Sequence, residues 1–247
     1  MIKVFPDIEE LNRFAAEKFV EIGNQAIKMK RSFAVALAGG STPKSLYRLL
    51  ASEKYKNRID RTKVYFFFGD ERNVLPGDEE SNFRMADENL FQPLKIEDKN
   101  IFRWQTEFED AKNIAANYET KLMEFFDLNE NPPDRKFPRF DLILLGMGAD
   151  GHTASLFPFT KALHETERLA VINNVEKLNA NRLTMTFPVI NNAANVMFLV
   201  SGAEKAESLR EVLRGENNPD EFPSQKVKLN DGNLLWLVDR EAARLLQ

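Results

Sequence analysis

Short apolar runs that do not alternate with polar residues constrain this chain more than any other feature. Phe33 to Ala38, Val64 to Phe68, Leu142 to Leu145, Leu169 to Ile172, Leu183 to Phe187, Val196 to Val200 and Leu234 to Val238 all have the length of a strand. A strand without alternation is buried on both faces, the situation of a mostly parallel sheet with helices on both sides. The intervening stretches supply such helices. Ile8, Leu11, Ala15, Phe19, Ile22, Ala26 and Met29 recur at spacings of three or four behind Asp7, a candidate N-cap, and predict a helix over 7–30 with its apolar stripe on the core. Phe108, Ala111, Ile114, Tyr118, Leu122 and Phe125 repeat the pattern. No Pro/Gly/Ser-rich linker, long charge run or internal repeat divides the 247 residues, so a single α/β domain over 1–247 is expected. Asn131-Pro132-Pro133-Asp134 and residues 214–223 read as surface loops.

Composition narrows the chemistry. The absence of cysteine excludes disulfides, thiolate nucleophiles and cysteine zinc sites, and with only two histidines no metal centre is expected. A net charge of -4 argues against a nucleic-acid surface built on bulk positive charge. The N-terminal residues lack a signal pattern, and nowhere do about 18 apolar residues run together. A soluble cytoplasmic protein, with neither nucleic acid nor membrane as partner, is the expectation.

The polar chemistry collects in turns just after four of the apolar runs. These are Gly39-Gly40-Ser41-Thr42-Pro43, Gly69-Asp70-Glu71-Arg72, Gly146 to His152, and Ser201-Gly202-Ala203-Glu204-Lys205. In a parallel sheet they share the carboxyl edge, where open α/β folds bind ligands. Gly39, Gly40, Ser41 and Thr42 form a candidate phosphate cradle, with glycines for close backbone approach, hydroxyl donors, and Pro43 placed for the first helical position after Thr42. The turn lacks the G-K-[ST] ending of a nucleotide P-loop, which favours a monophosphate over a nucleoside triphosphate. Lys205 falls in the first turn of a helix predicted over 203–213, where a cation is mildly unfavourable unless an anion binds. Arg72 suits a bidentate contact to phosphate or carboxylate.

His152 follows Gly146, Gly148 and Gly151, which satisfy G-x-G-x-x-G after a strand. The dinucleotide reading fails on context, because Pro158 cuts short the required helix and the next strand-like run ends in Asn173-Asn174 instead of an acid. Residues 152–157 allow one or two turns of helix, which places His152 beside a helix N-terminus, where a neutral imidazole suited to general-base work is favoured. Asp150 pulls the other way and leaves the net shift open. Asp70 and Glu71 are open to several roles: positioning water, orienting His152, holding Arg72, or neutralising it as an acidic pair. His164 reads as exposed. The candidate catalytic residues are therefore His152, Asp150 and Asp70.

The segments Leu37 to Pro43, Gly69 to Arg72, Gly148 to Pro158 and Gly202 to Ala206 resemble the 6-phosphogluconolactonase family, and the resemblance runs through Leu235-Trp236-Leu237-Val238-Asp239 near the end. It implies a modified Rossmann-like α/β fold akin to glucosamine-6-phosphate deaminase and ribose-phosphate isomerase. It also implies hydrolysis of 6-phospho-D-glucono-1,5-lactone to 6-phosphogluconate, the second step of the oxidative pentose phosphate pathway, without metal or nucleotide cofactor. By the same resemblance His152 is the general base and acid, and Arg72 and Lys205 bind the anionic groups of the small-molecule substrate. Arg182 matches another basic family position, although Glu176-Lys177-Leu178-Asn179-Ala180 before it lacks the proline-rich approach of the family.

Two rivals remain. An amino-sugar-phosphate deaminase and isomerase shares the phosphate turn and an Asp-Gly-His motif, but continues after the histidine in a pattern unlike Thr153-Ala154-Ser155-Leu156-Phe157-Pro158. A non-catalytic sugar-phosphate sensor has no need of His152.

Overall fold

A computed structural model describes residues 1–108, 110–128 and 136–246. The turn expected at Asn131-Pro132-Pro133-Asp134 lies outside the described residues.

Ten strands form two sheets. They are β1 (Ile2–Phe5), β2 (Phe33–Leu37), β3 (Val64–Phe68), β4 (Asp70–Arg72), β5 (Ile101–Phe102), β6 (Leu142–Leu145), β7 (Ala170–Val175), β8 (Ala180–Met185), β9 (Asn195–Val200) and β10 (Asn233–Asp239). Seven build a parallel sheet in the order β1-β10-β9-β6-β2-β3-β5. Every residue of β2 and β6 is buried, as expected of central strands covered on both faces. The helices are α1 (Ile8–Lys30), α2 (Ser41–Leu50), α3 (Asn82–Ala86), α4 (Gln92–Leu94), α5 (Ala111–Phe125), α6 (Phe187–Asn191) and α7 (Ala206–Arg214).

The expected α1 forms with its cap: the Asp7 carboxylate accepts the Glu10 amide at 2.9 Å, and Leu11, Ala15, Phe19 and Ala26 are buried. Met29 is exposed, however, because the stripe leaves the core in the last turn. Phe108 lies outside α5 and is half exposed.

The second sheet supplies the antiparallel part of the expected mostly parallel architecture. Leu169 to Ile172 and Leu183 to Phe187 contribute to β7 and β8, which pair antiparallel with each other, and β8 pairs antiparallel with β4. β7 is only partly buried and ends in Asn173, Asn174 and Val175. This small sheet is fastened to the large one at Gly69, whose amide donates to Leu37 O at 2.9 Å and whose carbonyl accepts Met185 N at 2.8 Å.

Two buried tyrosines secure the ends of the central strands. Tyr47 of α2 donates to Ala38 O at 2.7 Å and accepts Ala38 N at 3.0 Å. Tyr118 of α5 bonds both backbone groups of Phe68 at 2.9 Å. Parallel strands that diverge into turns leave backbone groups without ladder partners, and these phenols supply them. Burial raises both phenol pKa values, which keeps the donors protonated. The turns that leave β2 and β3 thus start from fixed points.

Candidate active site

In the sheet order, β2 is followed to one side by β3 and to the other by β6, so the turns after β2 and β6 run apart and open a crevice at their carboxyl ends. A cleft of about 650 Å³ lies there. Gly39, Gly40, Asp70, Arg72, Asp150, His152, Arg182 and Lys205 all line it, which gathers the expected residues from the four turns and from β8. Ser41 faces an adjoining cavity of about 330 Å³ shared with Gly40, Arg72 and Arg182. Thr42 is buried in the first turn of α2 and does not reach the main cleft.

The helix after the glycine cradle starts two residues earlier than expected. Gly40, at φ 102, is the cap of α2, and Pro43 sits in the third helical position instead of the first. No side chain caps this end, so the first-turn amides of a ten-residue helix are available to an anion.

His152 does not stand at a helix N-terminus. Residues 152–157 form an irregular turn in which Leu156 N donates to Thr153 O at 2.9 Å and Ala154 adopts φ 47. Side-chain bonds hold this turn where a helix was expected: Thr153 Oγ1 donates to Gly146 O at 2.8 Å, and Ser155 Oγ to Asp70 Oδ2 at 2.7 Å. The imidazole stacks on Phe157 with centroids 4.0 Å apart, and its Nδ1 lies 2.5 Å from Asp150 Oδ1. The same carboxylate oxygen accepts the His152 amide at 3.2 Å. With Nδ1–H donating to Asp150, Nε2 is left as the basic nitrogen. Gly148 makes room for the pair, because a Cβ there would collide with the imidazole and the Asp150 carboxylate.

The imidazole is nonetheless held neutral, by burial instead of a helix dipole. Burial lowers its pKa to about 4, Lys205, Arg182 and Arg72 push in the same direction, and Asp70 opposes them.

Glu71 does not neutralise Arg72. Its carboxylate is 3% exposed and accepts Arg72 N at 2.8 Å, Asn82 N at 2.7 Å, Phe83 N at 2.8 Å and Ser81 Oγ at 3.2 Å. It ties the start of α3 to β4. Burial raises the Glu71 pKa, against these bonds. Arg72 instead donates through Nη1 to Asn82 Oδ1 and to Glu80 O at 2.9 Å. Among the described residues neither Arg72 nor Arg182 has a carboxylate partner, although the two are directly opposed across β4 and β8. Burial and Arg72 both lower the Arg182 pKa. Arg72 and Arg182 face the cleft together with Lys205, whose ammonium lies 3.8 Å from Glu204 Oε1, a cluster of cations suited to an anion. His164 is exposed, as expected, 3.6 Å from Asp220.

Three contributors were not legible as site residues: Asn82, Ser155 and Lys177. Asn82 braces Arg72 and packs against Gly39. Lys177 pairs with Asp150 Oδ2.

A family model described as glucosamine-6-phosphate isomerases/6-phosphogluconolactonase matches residues 6–236. The chain belongs to this glucosamine-6-phosphate isomerase/6-phosphogluconolactonase family. Among relatives, a 6-phosphogluconolactonase of Synechocystis is 40% identical over 223 residues, 90% of this chain and 88% of its own. The solved 6-phosphogluconolactonase from Trypanosoma cruzi superimposes with a TM-score of 0.87 at 30% identity, covering 100% of this chain and 96% of its own. A monomeric glucosamine-6-phosphate deaminase superimposes at 0.78 with 24% identity, covering 99% of each chain, a likeness of fold alone. No helix of the described residues is long and apolar enough to cross a membrane.

Proposed function

We propose that this chain is a 6-phosphogluconolactonase that hydrolyses 6-phospho-D-glucono-1,5-lactone with His152 as general base and acid. The observation that carries the mechanism is the Asp150–His152 pair, which orients a neutral imidazole with Nε2 as its basic nitrogen in a cleft lined by Arg72, Arg182 and Lys205. Nε2 takes a proton from water as the water oxygen bonds to the lactone carbonyl carbon. When the tetrahedral intermediate collapses, the bond from that carbon to the ring oxygen breaks and the imidazolium returns the proton to the departing oxygen. The product is the open-chain acid. Asp150 holds the tautomer and offsets the transient imidazolium. Asp70, fixed by Ser155, also favours the protonated form of the imidazole through its charge.

The substrate phosphate is assigned to Arg72, Arg182 and Lys205 with the first turn of α2, from Gly39, Gly40, Ser41 and Thr42. The reading makes the protein a cytoplasmic sugar-phosphate enzyme of one domain. To test it, the lactone is generated in situ with glucose-6-phosphate dehydrogenase and 6-phosphogluconate formation is followed against the spontaneous rate. The wild type should accelerate ring opening and His152→Gln should lose about 100-fold or more in kcat. A His152→Gln variant turning over like the wild type would remove His152 from the role. Ammonia release from glucosamine 6-phosphate, with no lactone turnover, would replace the function.

A further inference from the structure

Lys177 belongs to neither the expected catalytic set nor the expected phosphate set, yet it touches the catalytic pair. It sits on the 3-10 turn Glu176–Leu178 that joins β7 to β8, just before Asn179 in the left-handed region at φ 46. From there its side chain crosses the rim of the cleft. The ammonium pairs with Asp150 Oδ2, while Oδ1 of the same carboxylate serves His152 Nδ1 and the His152 amide. It also lies 4.9 Å from the centroid of the Phe157 ring on which the imidazole stacks. One lysine therefore contacts both groups that orient the histidine. Its side chain is half exposed, and the turn carrying it shares no strand or helix with His152.

We infer that Lys177 is a positioning residue for the lactonase reaction, fixing the Asp150 carboxylate and offsetting its charge so that the imidazolium formed at His152 remains acidic enough to return its proton to the leaving ring oxygen. The inference rests on the function proposed above. A histidine that works first as base and then as acid is served poorly by an uncompensated carboxylate, which would stabilise the imidazolium and slow the second transfer. Asp150 alone would do this. The other charges facing the imidazole are Asp70 and Arg72 on β4, Arg182 on β8 and Lys205 after β9. These bear on the ring itself, whereas Lys177 acts on the carboxylate that orients it.

Lys177→Met keeps an unbranched side chain one atom shorter and removes the charge. Its acidic limb in the kcat/KM profile should move up by about one pH unit, kcat at neutral pH should fall about threefold to tenfold, and KM should change less than about twofold. Lys177→Arg should restore the profile. Because His152 and His164 are the only histidines, proton NMR of the imidazoles gives a second readout that needs no turnover. The His152 midpoint should rise in Lys177→Met, His164 should stay in place, and in the Asp150→Asn background Lys177→Met should have no further effect on His152. An unmoved pH profile and His152 midpoint would overturn the inference, as would a raised KM at constant kcat, which would make Lys177 a substrate contact. A wild type that fails to open the lactone would defeat the function while leaving the NMR arm to decide the Asp150–Lys177 coupling.

Discussion

A histidine kept neutral by burial, the state the proposed mechanism calls for, is also a thermodynamic burden. In the folded protein the His152 pKa is held down to about 4, whereas in the unfolded chain an imidazole titrates near about 6.5. Between these values the unfolded chain binds more protons, so stability rises with pH across the window. The contribution is fully present above about pH 6.5 and is lost as pH falls toward about 4, to a limit of about 3 kcal/mol that partial exposure of the ring reduces. His152→Gln lacks this titration and should therefore lose less in Tm than the wild type between about pH 7.5 and about pH 5. Thermal unfolding of both proteins at the two pH values measures it; parallel losses would mean that the imidazole is not held down. The sequence left the net shift open, with a helix N-terminus set against Asp150, and burial is what decides it. Local pattern suggested a helix N-terminus after Gly151, and the bonds that prevent that helix run from Ser155 to Asp70 and to Thr184, far away in the chain.

At the scale of elements, the strands that the sequence showed most clearly were the ones that lie in the middle of the parallel sheet, where both faces are buried and pattern depends little on partners. Ile2–Phe5 and Ile101–Phe102 escaped notice because they are edge strands with alternating or partial burial. The antiparallel β4-β8-β7 sheet escaped because its pairing is decided by register between distant segments, and Arg182 and Lys177 reach the cleft only through it. Asn82 illustrates the same limit, since its place beside Arg72 depends on the buried Glu71 fastening α3 to β4. By contrast, the turns after β2 and β6 were legible because their glycines answer to local geometry. Gly148→Ala should therefore be an element-level lesion: the new Cβ displaces the imidazole and the Asp150 carboxylate together. We expect kcat to fall by about 10-fold to 100-fold with KM changed much less. Gly77→Ala, whose Cβ meets nothing within 4 Å, is the control and should leave both constants in place. Equal activity of Gly148→Ala and the control would show that the turn can move aside without disturbing the pair.

Across the whole molecule, an acidic chain of net charge -4 gathers three cations in one crevice. Arg72 comes from the small sheet's first strand, Arg182 from its middle strand, and Lys205 from the turn after β9 of the large sheet. The Asp239 carboxylate holds that last turn to β10 by accepting the Gly202 amide at 3.2 Å. Folding therefore brings three positive charges together against their mutual repulsion, and on the proposed reading a bound phosphate would relieve it in the native state only. Ligand binding must then appear as stability. At about 100 times its Kd, 6-phosphogluconate should contribute about 2.7 kcal/mol, which for a chain of this size is a rise in Tm of about 5–10 °C. Gluconate, which lacks the phosphate, should give far less at the same concentration, and added salt should weaken the effect as it screens the cations. Arg72→Ala and Lys205→Ala should each reduce the rise, because each leaves the dianion one donor short. Scanning calorimetry with the two ligands, at low and high salt, measures all of these together. Equal stabilisation by gluconate and 6-phosphogluconate would mean that the three cations do not read the phosphate, and that the anion site lies elsewhere in the molecule.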